Sequence, residues 1–266
     1  MFRNSLFIFK VRMFIWRFEP FFRRLKRIVV LSALVTIPAG GLVGYSLTYP
    51  DISSLKTKNP KKTSFMQLRE NEWERKGRKK KVVQQWIPLA NISPFLVDAV
   101  LIREDDKFWN HDGFDIDGIQ NALIKDIKEL ELKAGGSTIT QQLAKNLFLS
   151  AKKTPTRKLR EAIITWRMEQ TLSKRRILEL YLNVAEWGDG IFGAEAAARH
   201  YFNKPATELT LEEATRLAIA LPNPRKINPI GDSEYVTEQS ANIYRAVVKR
   251  HKGEALYEGL EPEPEG

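Results

Sequence analysis

A cluster of acidic residues and one histidine follows an apolar run near the middle of the chain. The apolar residues are Ala99 to Ile102, and Glu104, Asp105 and His111 come shortly after them. In a continuous helix, Glu104, Phe108 and His111 would share one face. A carboxylate on a partly apolar face can have its pKa raised and can then serve as a base. A capped, solvated helix end is the alternative interpretation.

A second carboxylate, Glu161, lies farther along the chain in a helical pattern. It shares a face with Ile164 and Met168, and Arg157 lies one turn before it. A carboxylate among apolar residues needs a partner. Two readings follow from the residues alone: a structural Arg157–Glu161 pair, or a second active-site acid surrounded by cations.

A glycine-flanked polar stretch lies between these two acids. Gly136 and Ser137 precede a helix start, and Thr138 with Gln141 fits a capping box. Thr138, Gln141, Gln142 and Lys145 are spaced to share one stripe of that helix, opposite Ile139, Leu143 and Leu147. Neutral amides beside a lysine at a helix start suit an anionic or sugar ligand. Plain solvent-facing surface is the alternative.

The segments that carry these residues are predicted to be mainly helical. Capping and proline signals start helices at Pro94, Ile139, Pro155, Lys174 and Leu211. The helix after Thr154 has one apolar face at Leu159, Ile163 and Trp166 and another around Ile164, so we expect it to be buried on two sides. The best strand candidate is Val82–Ile87, which Pro88 ends.

The net charge of +11 is unevenly distributed over the 266 residues. Residues 1–27 hold eight basic residues and one acid, and residues 51–81 hold eleven basic residues and four acids, whereas residues 82–253 are nearly neutral. The basicity therefore flanks one apolar run, which favours a membrane surface over nucleic acid as the partner. The chain has no cysteine, so disulfides, thiolate metal sites and cysteine nucleophiles are excluded.

The apolar run, residues 28–49, contains no charged residue and is long enough to cross a bilayer as one helix. Basic residues precede it directly, so the positive-inside rule keeps residues 1–27 in the cytoplasm and places the rest of the chain outside. A cleaved signal peptide is the competing interpretation. We expect a basic membrane-proximal tether over 50–81, a catalytic domain over 82–253 and an acidic, disordered tail over 254–266.

Five motifs in order resemble those of the peptidoglycan glycosyltransferases over roughly residues 82–229. The first three are Glu104-Asp105-x-x-Phe108-x-x-His111-x-Gly113, Gly136-Ser137-Thr138-Ile139-Thr140-Gln141-Gln142-x-x-Lys145-Asn146 and Arg157-Lys158-x-x-Glu161. The fourth is Lys174-x-x-Ile177-Leu178-Glu179-x-Tyr181-Leu182-Asn183, and the fifth runs from Arg216 to Leu221. The sequence Asn183–Gly188 is more similar to the monofunctional branch of the family.

The resemblance implies a lysozyme-like, two-lobed helical fold with a cleft between the lobes. It also implies lipid II as the substrate and the growing glycan chain as the product, made on the outer side of a bacterial cytoplasmic membrane. In this reading Glu104 is the base, and Lys145, Arg157 and Lys158 neutralise the pyrophosphate leaving group. Glu161 orients those cations, a divalent ion or the sugar. The remaining expected ligand contacts are Asp105, Ser137 and Gln141.

The resemblance assigns a mainly supporting role to Phe108, His111, Glu179, Tyr181 and Asn183. No cofactor is required by these residues, although a divalent cation is compatible with them, and other proteins of cell-wall synthesis are candidate partners. A membrane-anchored, lysozyme-like enzyme that cleaves glycan is the competing enzymatic reading, since two carboxylates also suit hydrolysis. An inactive membrane-tethered scaffold is the non-enzymatic one.

Overall fold

The computed structural model describes residues 2–118, 120, 136–152 and 154–258. The chain divides into two units, Met1–Tyr49 and Pro50–Gly266. The predicted segments at residues 119, 121–135 and 259–266 lie outside the described residues.

The first unit is one helix, α1 (Phe2–Thr48). Its window Arg23–Tyr45 is long and apolar enough to cross a membrane, and none of that window is buried within the protein. The window starts five residues before the predicted start at Ile28, because the helix continues through the preceding basic residues. The Ser32 and Thr48 hydroxyls donate to carbonyls one turn earlier, so these polar groups are satisfied within the helix.

The described part of the second unit is mainly helical, as predicted. Its longer helices are α2 (Ser64–Arg75), α3 (Pro94–Glu104), α4 (Ile139–Phe148), α5 (Pro155–Thr171), α6 (Lys174–Val184), α7 (Ala194–Phe202), α8 (Leu211–Ala220) and α9 (Glu234–Glu258). Helix α3 packs against α8 and α9, whereas α4 packs against α2, α5 and α6. The candidate site lies where the end of α3 meets the start of α4.

A small sheet of three strands packs against α7 and α8. Strand β1 (Val83–Gln84) pairs in parallel with β3 (Ile191–Phe192), which pairs antiparallel with β2 (Glu186–Gly188). Only two residues of the predicted strand 82–87 pair in the sheet. Beyond them, the Asn183 side chain binds both the N–H and the carbonyl of Ile87, so a side chain replaces the missing strand partner.

The segment predicted as a basic tether, residues 50–81, belongs to the second unit. It contributes Ile52, Leu55, Met66 and Trp73 to the buried interior. The Trp73 ring lies so close to Gly190 that a Cβ there would come within 2.5 Å of it, and the φ of +90° at Gly190 also favours glycine. Lysines dominate the composition of this segment, so the sequence did not predict that its few apolar residues are buried.

Two further expectations differ from the structure. Helix α5 buries Glu161, Ile164 and Met168, but Leu159 and Trp166 are 46% and 51% exposed, so the helix is not buried on two sides. The apolar stripe alone could not show whether another element covers it. Helix α9 continues to Glu258, which extends five residues into the segment predicted as a disordered tail.

Candidate active site

Glu104 is the last residue of α3. The helix ends there because Asp105 turns to extended backbone, and the Asp105 carboxylate is held by two other groups. It accepts hydrogen bonds from the backbone N–H of Ile139 at 2.9 Å and from His111 Nε2 at 2.8 Å. Asp105 therefore joins the end of α3 to the first turn of α4, where a helix N-terminus favours an anion. Its predicted role as a ligand contact remains a prediction.

The expected helical face of Glu104, Phe108 and His111 is wrong, because α3 does not continue past Glu104. Phe108 begins a 3₁₀ turn and is fully buried, with the Lys174 ammonium 4.5 Å from its ring centre. His111 binds Asp105. Phe108 fills the interior after α3, and His111 holds Asp105, the residue next to Glu104. These contacts agree with the supporting role that the family resemblance implied for both residues.

The nearest partner of Glu104 is a neutral amide. Gln142 Nε2 donates to Glu104 Oε2 at 2.7 Å and also faces the Ser137 carbonyl at 3.4 Å. On its other side, Gln142 Oε1 accepts from the Tyr181 hydroxyl at 3.2 Å. Sequence reasoning placed Gln142 on a polar stripe but did not include it, or Tyr181, among the candidate site residues. Its position one turn before Lys145 was the available signal.

Burial raises the pKa of Glu104 above its ordinary value. The Gln142 hydrogen bond and the charges of Arg103 and Lys145 oppose that effect, while the charge of Asp105 adds to it. No ion-pair partner of Glu104 occurs among the described residues. The result is a carboxylate that is more basic than usual and yet is held in one direction.

The second carboxylate is surrounded by cations. Glu161 is 2% exposed, and its two oxygens accept from Arg157 and Lys158. Arg157 lies in the first turn of α5, where Thr154 caps the helix by accepting from the Arg157 N–H. Lys158 also reaches the Ser137 hydroxyl at 3.3 Å. The Arg157–Glu161 pair is therefore present, with a second cation joined to it.

The charges of both carboxylates, Glu104 and Glu161, act on Lys145. Burial lowers its pKa, and the charges of Glu161 and Glu104 oppose this while those of Arg157 and Lys158 reinforce it. Its ammonium lies 5.6 Å from the centre of the Phe65 ring. Within the described residues no carboxylate lies at ion-pair distance from it. Lys145 thus offers a positive charge that the folded protein does not neutralise by direct contact.

Each partner of the Glu104–Gln142 hydrogen bond lines a different cavity. One, of about 170 Å³, is lined by Glu104, Asp106, Asp115 and Ser137. The other, of about 230 Å³, is lined by Gln142, Lys145, Tyr181 and Phe65 and by the proline-rich turn after α8. Open space is therefore available beside the candidate base and, separately, beside Gln142 and Lys145.

Gln141 is nearly buried and completes the predicted capping box. Its side chain accepts from the Thr138 N–H at 3.0 Å, and its own N–H donates to the Thr138 hydroxyl. The capping box is confirmed, whereas the role of Gln141 as a ligand contact is still a prediction. No group of three or more potential metal ligands occurs in the described part of the chain.

Two residues of the fourth motif support the fold. Glu179 accepts from the Leu89 N–H and pairs with Arg176. Asn183 holds Ile87 from both sides and also donates to the Glu179 carbonyl. These contacts attach the segment after β1 to α6, which agrees with the supporting role implied for both residues.

Comparison with known proteins assigns the family. The pattern that defines the family described as "Transglycosylase" matches residues 70–250. The chain belongs to the transglycosylase family. It is similar to a protein named biosynthetic peptidoglycan transglycosylase from Methylobacillus flagellatus, at 53% identity over 63% of this chain and 73% of the relative. Relatives with the same name occur in Nitrosospira multiformis, at 54% identity over 70% and 80%, and in Aromatoleum aromaticum, at 55% over 63% and 73%.

The transglycosylase match includes every candidate site residue and begins inside α2. It confirms the family resemblance and identifies the protein as a glycosyltransferase. The mainly helical architecture agrees with the lysozyme-like fold implied for this family. The apolar window in α1 fits a membrane anchor.

Proposed function

We propose that this transglycosylase polymerises lipid II into the linear glycan strands of peptidoglycan. The names of its relatives support peptidoglycan synthesis. One observation carries the finer proposal: Glu104 and Lys145 act on each other's pKa, and neither has an ion-pair partner among the described residues. Gln142 binds the base and lines the same cavity as the cation. A base and a cation linked in this way suit the transfer of a sugar from a pyrophosphate.

Glu104 acts as the general base in this proposal. The 4-hydroxyl of the acceptor sugar gives its proton to Glu104 while its oxygen bonds to the anomeric carbon of the donor. The bond from that carbon to the pyrophosphate oxygen breaks, and undecaprenyl pyrophosphate leaves with the electron pair. Direct displacement inverts the anomeric carbon. Burial favours this role because a base with a raised pKa accepts a proton more readily at neutral pH.

The cations stabilise the leaving group. Pyrophosphate already carries negative charge, so it needs neutralisation more than it needs a proton donor. Lys145 supplies an unpaired ammonium, and Arg157 and Lys158 supply cations that are held in place by Glu161. Glu161 therefore orients the phosphate-binding groups. Ser137, beside Lys158, is placed to contact the same substrate.

The substrate chemistry also accounts for the apolar N-terminal helix. Lipid II is embedded in a bilayer, and a protein anchored by the Arg23–Tyr45 window would stay at its surface. The basic residues before the uncharged run 28–49 would keep the N-terminus in the cytoplasm, so that the catalytic unit would work on the outer side of the cytoplasmic membrane.

Incubation with lipid II, and separately with intact cell-wall glycan, tests the proposal. We expect polymer from lipid II and no release of fragments from the wall. Release of fragments with no polymer formed would instead show a glycan-cleaving enzyme. A folded protein with neither activity, in the presence and absence of divalent cations, would support the scaffold reading.

A further inference from the structure

The contact between Glu104 and Gln142 extends to a third residue that sequence reasoning assigned only to the fold. Tyr181 lies on α6, is 1% exposed and donates to Gln142 Oε1. We propose that Tyr181 and Gln142 are positioning residues that fix the direction of the Glu104 carboxylate and set the pH at which it accepts a proton. This inference rests on the proposed role of Glu104 as the base.

The surroundings permit only one orientation of the Gln142 amide. Its Nε2 group faces two acceptors, Glu104 Oε2 at 2.7 Å and the Ser137 carbonyl at 3.4 Å. Its Oε1 faces the Tyr181 hydroxyl at 3.2 Å. A rotated amide would turn its oxygen toward Glu104 Oε2 and the Ser137 carbonyl, so that three acceptors would face one another. Both contacts would be lost, and buried polar groups left without partners are costly.

Tyr181 keeps this orientation because its hydroxyl stays protonated. Burial raises the pKa of Tyr181 well above its ordinary value, and the charges of Glu104 and Asp105 reinforce that effect. The hydroxyl therefore stays protonated, and able to donate, near neutral pH. Since Gln142 Oε1 can only accept, the direction of the whole chain of hydrogen bonds runs from Tyr181 to Glu104.

A neutral donor serves a base better than a cation would. A hydrogen bond from an amide stabilises the carboxylate and lowers its pKa, which limits the rise caused by burial. A lysine or arginine in direct contact would stabilise the anion more strongly and make it a poorer base. The amide thus opposes the rise in the pKa of Glu104 without cancelling it.

Several other charged or titratable groups face Glu104 and act on it together with Gln142. They are Arg103 on α3, Asp105 after α3, Lys145 on α4 and Tyr181 on α6, with Asp106 and Asp115 lining the same cavity. None of these groups changes in a Gln142 substitution. A shift in pH dependence caused by such a substitution can therefore be assigned to the lost amide contact.

The test is the pH dependence of kcat for lipid II polymerisation by the full-length protein. Gln142→Met keeps the length of the side chain and removes the donor. The acid limb is the part of the pH profile in which kcat falls as Glu104 becomes protonated. We expect it to move up by about one pH unit in Gln142→Met, since losing a hydrogen bond to a charged group raises the pKa of that group by roughly this amount. Gln142→Glu should move the limb further, because two facing carboxylates resist ionising together. Tyr181→Phe should move it in the same direction by about a third of a unit.

Matched controls are available elsewhere in the chain. The Gln67 side chain on α2 donates to that of the nearby Asn71, and Tyr244 on α9 is partly exposed. Gln67→Met and Tyr244→Phe should leave the acid limb unchanged. A lower kcat in Gln142→Met with the acid limb of the wild type would overturn the inference, because it would indicate a structural role alone.

A direct titration covers the case in which Gln142→Met fails to fold. The pKa of Glu104 can be followed by carbon-13 NMR of labelled glutamate in Tyr181→Phe, with Glu104→Gln used to assign the signal. An unchanged pKa in Tyr181→Phe would also contradict the inference. Full activity in Glu104→Gln would remove the base itself, which is a failure of the proposed function and is distinct from an unmoved acid limb.

Discussion

The two carboxylates of the site have opposite surroundings. Glu104 contacts a neutral amide, and burial raises its pKa. Glu161 is more deeply buried and accepts from both Arg157 and Lys158. The protein compensates the charge of Glu104 only weakly, whereas both oxygens of Glu161 accept hydrogen bonds from cations.

This difference separates two tasks that the motifs alone do not separate. A base must give up its contacts when it takes a proton, so a weakly compensated carboxylate is suited to proton transfer. A carboxylate between two cations would lose both contacts on protonation, so it is suited to holding those cations in place. The contrast supports the proposed roles, proton transfer for Glu104 and orientation of the cations for Glu161.

Lys145→Ala removes the cation on which the charges of both carboxylates act, and its effect should be exceeded among these substitutions only by that of Glu104→Gln. We expect kcat/KM for lipid II to fall by about a hundredfold, because a charge-assisted contact to the phosphates is lost. Steady-state polymerisation with purified lipid II measures this. The variant Lys26→Ala, in the basic stretch directly before the uncharged run 28–49, is a control for loss of positive charge. Unchanged affinity and turnover in Lys145→Ala would contradict its assignment.

Glu161→Gln should reduce polymerisation about tenfold, since Arg157 and Lys158 would keep their charges but lose their common anchor. It should also lower the melting temperature, because ionic hydrogen bonds to a buried carboxylate are lost.

Glu104→Gln, in contrast to Glu161→Gln, should leave the melting temperature at neutral pH equal or higher. A buried carboxyl with a raised pKa stabilises the fold below its unfolded pKa and loses that contribution as pH rises through the folded one. An equal decrease in the melting temperature of Glu161→Gln and Glu104→Gln would contradict the proposed difference between the two carboxylates.

The smallest effect concerns the alkaline limb of the pH profile. Burial lowers the pKa of Lys145, so its charge, and activity with it, should be lost at a pH below that of an exposed lysine. Lys145→Arg keeps the charge at any accessible pH. For Lys145→Arg we expect a lower maximal polymerisation rate than in the wild type, and a loss of activity that begins at a higher pH on the alkaline side of the profile. An alkaline limb identical to that of the wild type would show that another group causes it.

Much of the candidate site could be predicted because its residues come from short, local patterns. The capping box at Thr138 and Gln141 and the one-turn spacing of Arg157 and Glu161 both depend on contacts within four residues. These patterns bring Glu161 and its cations together irrespective of the rest of the fold.

The contacts that sequence reasoning missed join distant parts of the chain. The end of α3 at Glu104 depends on the bond from Asp105 to Ile139, which lies 34 residues away. The role of Tyr181 depends on Gln142, which lies 39 residues away. Likewise, Ile52 and Trp73 are anchors only because the rest of the unit surrounds them. Local spacing carries no information about such partners.

Glu104→Gln tests the central claim most directly when lipid II binding and polymerisation are measured on the same preparation. The substitution keeps the shape of the side chain and its place beside Gln142 but removes its ability to take a proton. We predict binding within about twofold of the wild type and a polymerisation rate at least about a thousandfold lower, the range expected for loss of a general base. A folded Glu104→Gln protein that polymerises lipid II at the wild-type rate would contradict the account.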